Sequence, residues 1–147
     1  MKLTFMIMIM AIGSFIIQYL LMSPIMVNKL SDLTNSYGKL YMALIMVIYM
    51  LFIDIALKDY MNKRVSMGWY LLLSILLILF IYLYRYQIGI NDKQYLEGMI
   101  EHHSMAILTS KEIIKKSKNS KVLRLAEKIL YEQENEIHLM KEMIKYS

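Results

Sequence analysis

The chain has 147 residues, of which 58% are hydrophobic, and it contains no cysteine. This composition is too apolar for an ordinary soluble domain, and it excludes disulfides, thiolate zinc sites and cysteine nucleophiles. The net charge of +5 is uneven, since seven Lys/Arg and three Asp/Glu occur up to Tyr86, and ten Lys/Arg and nine Asp/Glu follow. We therefore expect a lipid-facing anchor at 1–86 and a water-facing domain at 87–147. The domain is nearly neutral, which argues against a nucleic-acid partner.

Three apolar stretches are predicted to be membrane spans, at about residues 3–27, 40–57 and 65–83. A helix needs about 20 apolar residues to cross the hydrocarbon core of a bilayer. Tyrosine and tryptophan near the ends of the second and third stretches fit a membrane interface. The first stretch has no Ala-x-Ala-like cleavage site, so we expect a retained anchor and not a signal peptide.

The distribution of basic residues predicts the orientation of the spans. Four basic residues lie on the side of the N-terminus and three on the other: Lys2, Lys58, Lys63 and Arg64 against Lys29, Lys39 and Arg85. Because cytoplasmic loops are enriched in lysine and arginine, we expect a cytoplasmic N-terminus and an extracytoplasmic C-terminal domain.

Two features of the spans have both a structural and a functional interpretation. Asp54 is an acidic residue inside a predicted span, which is a functional hint, but snorkelling to the nearby end of the span or an ion pair with Lys58 at i,i+4 also explains it. The chain has 15 methionines, 11 of them before Tyr86. A thioether stripe could pass Cu(I), but methionine is also an ordinary filler of apolar surfaces.

Beyond Gly89 the pattern predicts two amphipathic helices. The first begins at Asn91 or Asp92, either of which can act as its N-cap, and ends near Lys116. A polar turn at 117–120 precedes the second helix, at about 121–146. Because the turn is short, we expect an antiparallel helical hairpin, and hence an all-α fold with three transmembrane helices.

Helical periodicity predicts one buried stripe on each helix of the hairpin. On the first helix the stripe contains Tyr95, Leu96, Met99, Ala106, Ile113 and Ile114, with His102 and His103 on either side of its centre. On the second it contains Val122, Ala126, Ile129, Ile137, Met140 and Ile144, and the polar residues Gln133 and Glu136. His138 falls on the opposite face, between Glu134 and Glu142, and is predicted to be solvated.

The register of the hairpin places the two histidines level with residues 133–136, so these polar side chains should meet. Imidazole, thioether and carboxylate groups together form a plausible transition-metal site, and methionine favours Cu(I). A metal-free His–Glu–Gln network that fixes the helix register is the alternative, and spacing leaves both open. No Glu-x-x-His motif and no hydrolase constellation occurs, so we do not expect an enzyme.

The run from Gly89 to Ile107, GINDKQYLEGMIEHHSMAI, resembles the signature of the domain of unknown function 305 family. The later Leu125-Ala126, Ile129, Gln133, Glu136-Ile137 and Met140 continue the resemblance. It implies a ferritin-like helical fold, an extracytoplasmic domain and a link with copper binding or tolerance. The candidate metal residues that it implies are Met99, His102, His103, Gln133, Glu136 and Met140. Glu101 stands where the family usually has proline, and we expect it at the rim, away from the buried stripe.

The sequence thus predicts a membrane-anchored protein that binds or handles copper, with the lipid bilayer as a partner. A structural or protein-interaction module is the alternative. One hairpin of about 50 residues is too small to bury a core alone. We therefore expect a homodimer through the hairpin, with Ala106, Ile113 and Ile129 at its interface. Docking of the hairpin onto its own spans or another protein is the competing possibility.

Overall fold

The computed structural model describes residues 3–146, which are helical with short connections and contain no β-strand. The helices are α1 (Leu3–Ile16), a π-helical turn (Ile17–Leu21), α2 (Met22–Met26), a 3₁₀ turn (Leu30–Asp32), α3 (Tyr37–Asn62), α4 (Met67–Arg85), α5 (Asp92–Lys116) and α6 (Ser120–Tyr146). Pro24 has no N–H to donate to the carbonyl of residue 20, which accounts for the π-helical turn before α2. The predicted all-α fold is confirmed.

Three helical segments are long and apolar enough to cross a membrane: Thr4–Met26, Tyr37–Asn62 and Met67–Arg85. They match the three apolar stretches in the sequence. The second helical segment, Tyr37–Asn62, is longer than the predicted span at 40–57, because the helix continues into the flanking residues on both sides. The chain divides into two compact units, and the first contains the N-terminal helix up to Met22 together with the chain from Gly38 to Gly89.

The core of the first unit consists of aliphatic side chains from α1, α3 and α4: Ile7, Val47, Ile48, Leu51, Ile55 and Leu73. Asp59 joins α3 to α4, since its carboxylate accepts hydrogen bonds from the Ser66 backbone N–H (2.6 Å) and hydroxyl (2.8 Å). Asp54 forms no ion pair with Lys58, one of its two proposed structural explanations, and its Oδ2 is buried without a hydrogen-bond partner among residues 3–146.

The second unit contains the hairpin of α5 and α6 and also the chain from Ser23 to Tyr37. The Asn91 side chain caps α5 by accepting from the Gln94 N–H, which confirms one of the two predicted caps. The hairpin core is a cluster of buried aliphatic and thioether side chains, namely Ile100, Ile107, Ile137 and Met140. The domain was predicted to begin at residue 87, so the packing of residues 23–37 on the hairpin was not expected.

We call residues 27–36, which connect the first two apolar segments, the inter-span segment. It packs against the hairpin through long-range hydrogen bonds. The Asn28 N–H donates to both the carbonyl and the hydroxyl of Ser104, and the Thr34 hydroxyl donates to the Glu97 carbonyl at 2.8 Å. Helix α5 therefore has two buried faces, one against α6 and one against the inter-span segment.

The buried faces of α5 and α6 differ from the stripes predicted for the two helices. Tyr95, Ile113 and Val122 are exposed, whereas Ile100 and Ile107, which the predicted stripe omitted, are buried. The buried face of α5 is rotated relative to the prediction because two polar residues of α5, Glu101 and Ser104, are buried under the inter-span segment.

Candidate functional site

The central residue of the candidate site is His103, on the side of α5 that faces α6. Its Nδ1 lies 2.8 Å from the carbonyl oxygen of Met99, one turn earlier. A carbonyl oxygen can only accept a hydrogen bond, so Nδ1 carries the proton. The other ring nitrogen, Nε2, lies 2.7 Å from a carboxylate oxygen of Glu136 on α6. The side chain of His103 is only 12% exposed, which limits how far the ring can move.

Glu136 and Gln133 complete a short polar chain on α6. The Gln133 amide donates to the carboxylate oxygen of Glu136 that also contacts His103, at 3.2 Å. These hydrogen bonds confirm the predicted register, in which the histidines lie level with residues 133–136. The prediction that Glu136 is buried is wrong, since its side chain is 53% exposed, and the cluster opens to solvent on this side.

The remaining candidates divide between the core and the surface. Met140 is buried in the hairpin core, and Met99 is partly buried and packs against the same apolar cluster. His102 is exposed, which corrects its predicted place beside the centre of the buried stripe. Among residues 3–146, no three His, Cys, Asp or Glu side chains are close enough together to hold a metal ion by themselves.

His138 is on the opposite face of α6, as predicted. Its side chain is 77% exposed, and Nδ1 lies 3.7 Å from Glu142 one turn later. His138 is therefore a surface histidine of the same domain, and it serves as a matched control for His103.

A buried charged cluster that the sequence analysis missed connects the inter-span segment to the hairpin. Asp32 is 2% exposed, and its carboxylate accepts hydrogen bonds from the Ser104 hydroxyl (2.7 Å) and the Lys141 ammonium (2.5 Å). Burial alone would raise the pKa of Asp32, but these two hydrogen bonds and the positive charges of Lys141 and Lys29 lower the pKa below its usual value. We call Asp32, Ser104 and Lys141 the charged clamp.

Glu101 belongs to the same side of α5 and corrects the expectation that it lies at the rim. It is 5% exposed, and its carboxylate accepts hydrogen bonds from the backbone N–H (3.3 Å) and the hydroxyl (3.1 Å) of Thr34. Glu101 thus binds the inter-span segment.

Comparison with known proteins supports the resemblance seen in the residues. The family model DUF305, a domain of unknown function, matches residues 83–144. The chain is also similar to uncharacterized protein L153 of Acanthamoeba polyphaga mimivirus, with 37% identity over 141 residues that cover 95% of this chain and 91% of the relative. The chain belongs to the DUF305 family. The DUF305 match contains α5, all of α6 except its last two residues, and all six candidate residues, whereas the similarity to L153 extends over the apolar helices as well. No solved structure matches the chain.

Proposed function

We propose that this DUF305 protein is a membrane-anchored copper-binding protein whose hairpin holds the metal. The observation that carries the proposal is the fixed orientation of the His103 ring. With one proton on Nδ1 held by the Met99 carbonyl, Nε2 would be the metal-binding nitrogen, and an ion would replace the proton of the hydrogen bond between Nε2 and the Glu136 carboxylate 2.7 Å away. A histidine that ligates a metal almost always donates its other ring N–H in this way, which fixes the tautomer and raises the basicity of the ligand.

The available donors favour Cu(I). His103 and Glu136 supply one nitrogen and one carboxylate oxygen, and Gln133 lies beside them. The thioethers of Met99 and Met140, which belong to the adjacent hairpin core, are the further candidate donors. Thioether sulfur selects Cu(I) over harder ions. A zinc site built from histidine and carboxylate alone would need three or four such groups, which the described residues do not bring together. His102, being exposed, is available to an ion or to a second chain.

The metal-free alternative is a structural or protein-interaction module. It is favoured by the hydrogen bonds that the Glu136 carboxylate accepts from the Gln133 amide and from the His103 ring, which already satisfy these side chains without an ion. A titration of the purified full-length chain with Cu(I) separates the two proposals. Tight binding of a copper ion supports the metal centre, and the absence of binding supports the module. In neither case do we propose a catalytic role.

We further propose that the N-terminus is cytoplasmic and that the hairpin lies on the extracytoplasmic side. The inter-span segment packs on the hairpin, and two spans separate them in sequence, so both lie on one side of the membrane. The basic residues Lys58, Lys63 and Arg64, in the connection between the second and third spans, support a cytoplasmic location for the opposite side. Protease added to intact cells is expected to remove a C-terminal tag. Complete protection of the tag would reverse the orientation.

We also propose that two hairpins associate as a four-helix bundle of ferritin-like type. The inter-span segment covers only one side of α5, and Ile113 lies about 180° around the helix from Ser104, on the uncovered side. Because the chain lacks cysteine, single cysteines at Ala106, Ile113 or Ile129 are expected to crosslink chains in membranes. A cysteine at Thr34, which packs against Glu101, is the matched control. A monomer at all three positions in membranes and mild detergent would contradict the dimer.

A further inference from the structure

The hairpin is nearly neutral as a whole, but its positive and negative residues are concentrated at different positions along its length. Residues 111–128, which we call the basic tip, carry seven lysines and arginines and two glutamates. The rest of α5 and α6 carries three lysines and seven acidic residues. The basic tip surrounds the turn between α5 and α6. Helix α5 has 25 residues and is therefore about 37 Å long, so the tip lies about that far from the start of α5.

Ion pairs inside the protein compensate only part of this charge. Four of the seven cations pair with glutamates of the hairpin: Lys111, Lys115, Lys116 and Lys128. The other three, Lys118, Lys121 and Arg124, are exposed and form no ion pair in the part of the chain that the structure describes. These three cations lie within seven residues at the turn, so their field adds up at one place on the surface.

Exposed aliphatic side chains lie among these cations. Ile113, Val122 and Leu125 are large, apolar and exposed, and the basic tip contains no aromatic residue. Single-stranded nucleic acids are bound mainly by phosphate contacts together with stacking on aromatic rings. Lysine and arginine combined with aliphatic side chains instead fit the boundary between headgroups and acyl chains of an anionic bilayer.

We propose that the basic tip binds anionic lipid headgroups, and that the hairpin is thereby a membrane-contacting element. The headgroups supply the phosphate and carboxylate charge, while Val122 and Leu125 enter the shallow apolar boundary. The anionic lipid is either in the bilayer that holds the chain or in a second bilayer. This proposal does not depend on copper binding.

The test uses the full chain in nanodiscs of zwitterionic phosphatidylcholine. Because the chain has no cysteine, Ser120→Cys at the exposed start of α6 carries a single environment-sensitive fluorophore. Vesicles containing phosphatidylserine are expected to shift the emission to the blue, and pure phosphatidylcholine vesicles are not. In a second arm, phosphatidylserine is placed in the nanodisc and no vesicles are added. A blue shift in that arm reports binding to the bilayer that holds the chain.

Two pairs of lysine substitutions test whether vesicle binding depends on the basic tip. Each lysine near an anionic surface contributes about 1 kcal/mol, so Lys118→Ala with Lys121→Ala is expected to weaken binding roughly 25-fold. The matched control, Lys93→Ala with Lys145→Ala, removes two exposed lysines outside the tip and should leave binding unchanged. Binding should also weaken when the salt concentration rises from about 0.1 M to about 1 M.

Three results would overturn the proposal. The first is no shift with phosphatidylserine in either bilayer, and the second is an equal loss in the two double variants. The third is tighter binding to RNA or duplex DNA than to vesicles at equal phosphate concentration, which would make the basic tip a nucleic-acid surface.

Discussion

Substitution of Lys141 by methionine is expected to detach the inter-span segment from the hairpin. The Asp32 side chain is only 3% exposed, so without Lys141 it is a buried carboxylate whose charge is poorly compensated. Removing one partner of a buried ion pair typically costs about 3–5 kcal/mol, because the remaining charge stays out of water. Methionine keeps the apolar stem of lysine, so the loss reports the ammonium group and not the packing.

Hydrogen exchange of the full-length protein in nanodiscs measures this loss. The amides of Asn28 and Thr34, whose N–H groups donate to the hairpin, should exchange roughly a hundredfold to several thousandfold faster in Lys141→Met. Asp32→Asn should have a smaller effect, since it leaves no buried charge, and the double variant should lose less than the sum of the two. Lys145→Met, an exposed lysine one turn later, is the matched control. Equal exchange in Lys141→Met and Lys145→Met would show that the clamp does not hold the segment.

The lowered pKa of Asp32 adds a dependence on pH to the same measurement. A carboxyl group with a lower pKa in the folded state stabilises it at pH values above the ordinary value of 3.8. That stabilisation is lost as the pH falls through the lowered pKa. Exchange of the inter-span segment should therefore rise steeply only in strong acid, and Asp32→Asn should remove this step.

Much of the fold follows from local sequence patterns. Apolar stretches of span length predicted the three long helices, and amphipathic periodicity with a polar turn predicted the hairpin. The register counted from the turn placed His103 level with Glu136, and their hydrogen bond confirms it. These features depend on neighbours in sequence or on one short connection, which is why they could be predicted.

The inter-span segment could not be predicted in this way. Asp32 finds its partners Ser104 and Lys141 at separations of 72 and 109 residues, and the short polar stretch around it has no periodicity. Without that contact, Glu101 was predicted to lie at the rim, and the centre of the buried stripe was placed too far toward Tyr95 and Ile113. An acidic residue in a short loop between two spans was the one available signal.

The second large effect is expected at the candidate metal centre, where His103→Ala should remove most of the affinity for Cu(I). Loss of a partner that only orients a metal ligand costs about tenfold to a hundredfold in affinity, and loss of the ligand itself should cost more. Glu136→Gln keeps an amide oxygen that can contact His103 and Gln133 but removes the negative charge. It should weaken copper binding while leaving the unfolding temperature of the protein nearly unchanged.

The most direct test of the central claim is a competition titration with Cu(I) and a chromophoric chelator on the full-length protein. The fragment 89–147 is unsuitable because it lacks Asp32 and Thr34, which bind the hairpin. We expect the wild type and His138→Ala to bind one copper ion per chain with the same affinity, and His103→Ala to bind more than about a hundredfold more weakly. No binding by the wild type, or equal losses in the two histidine variants, would contradict a metal centre at His103.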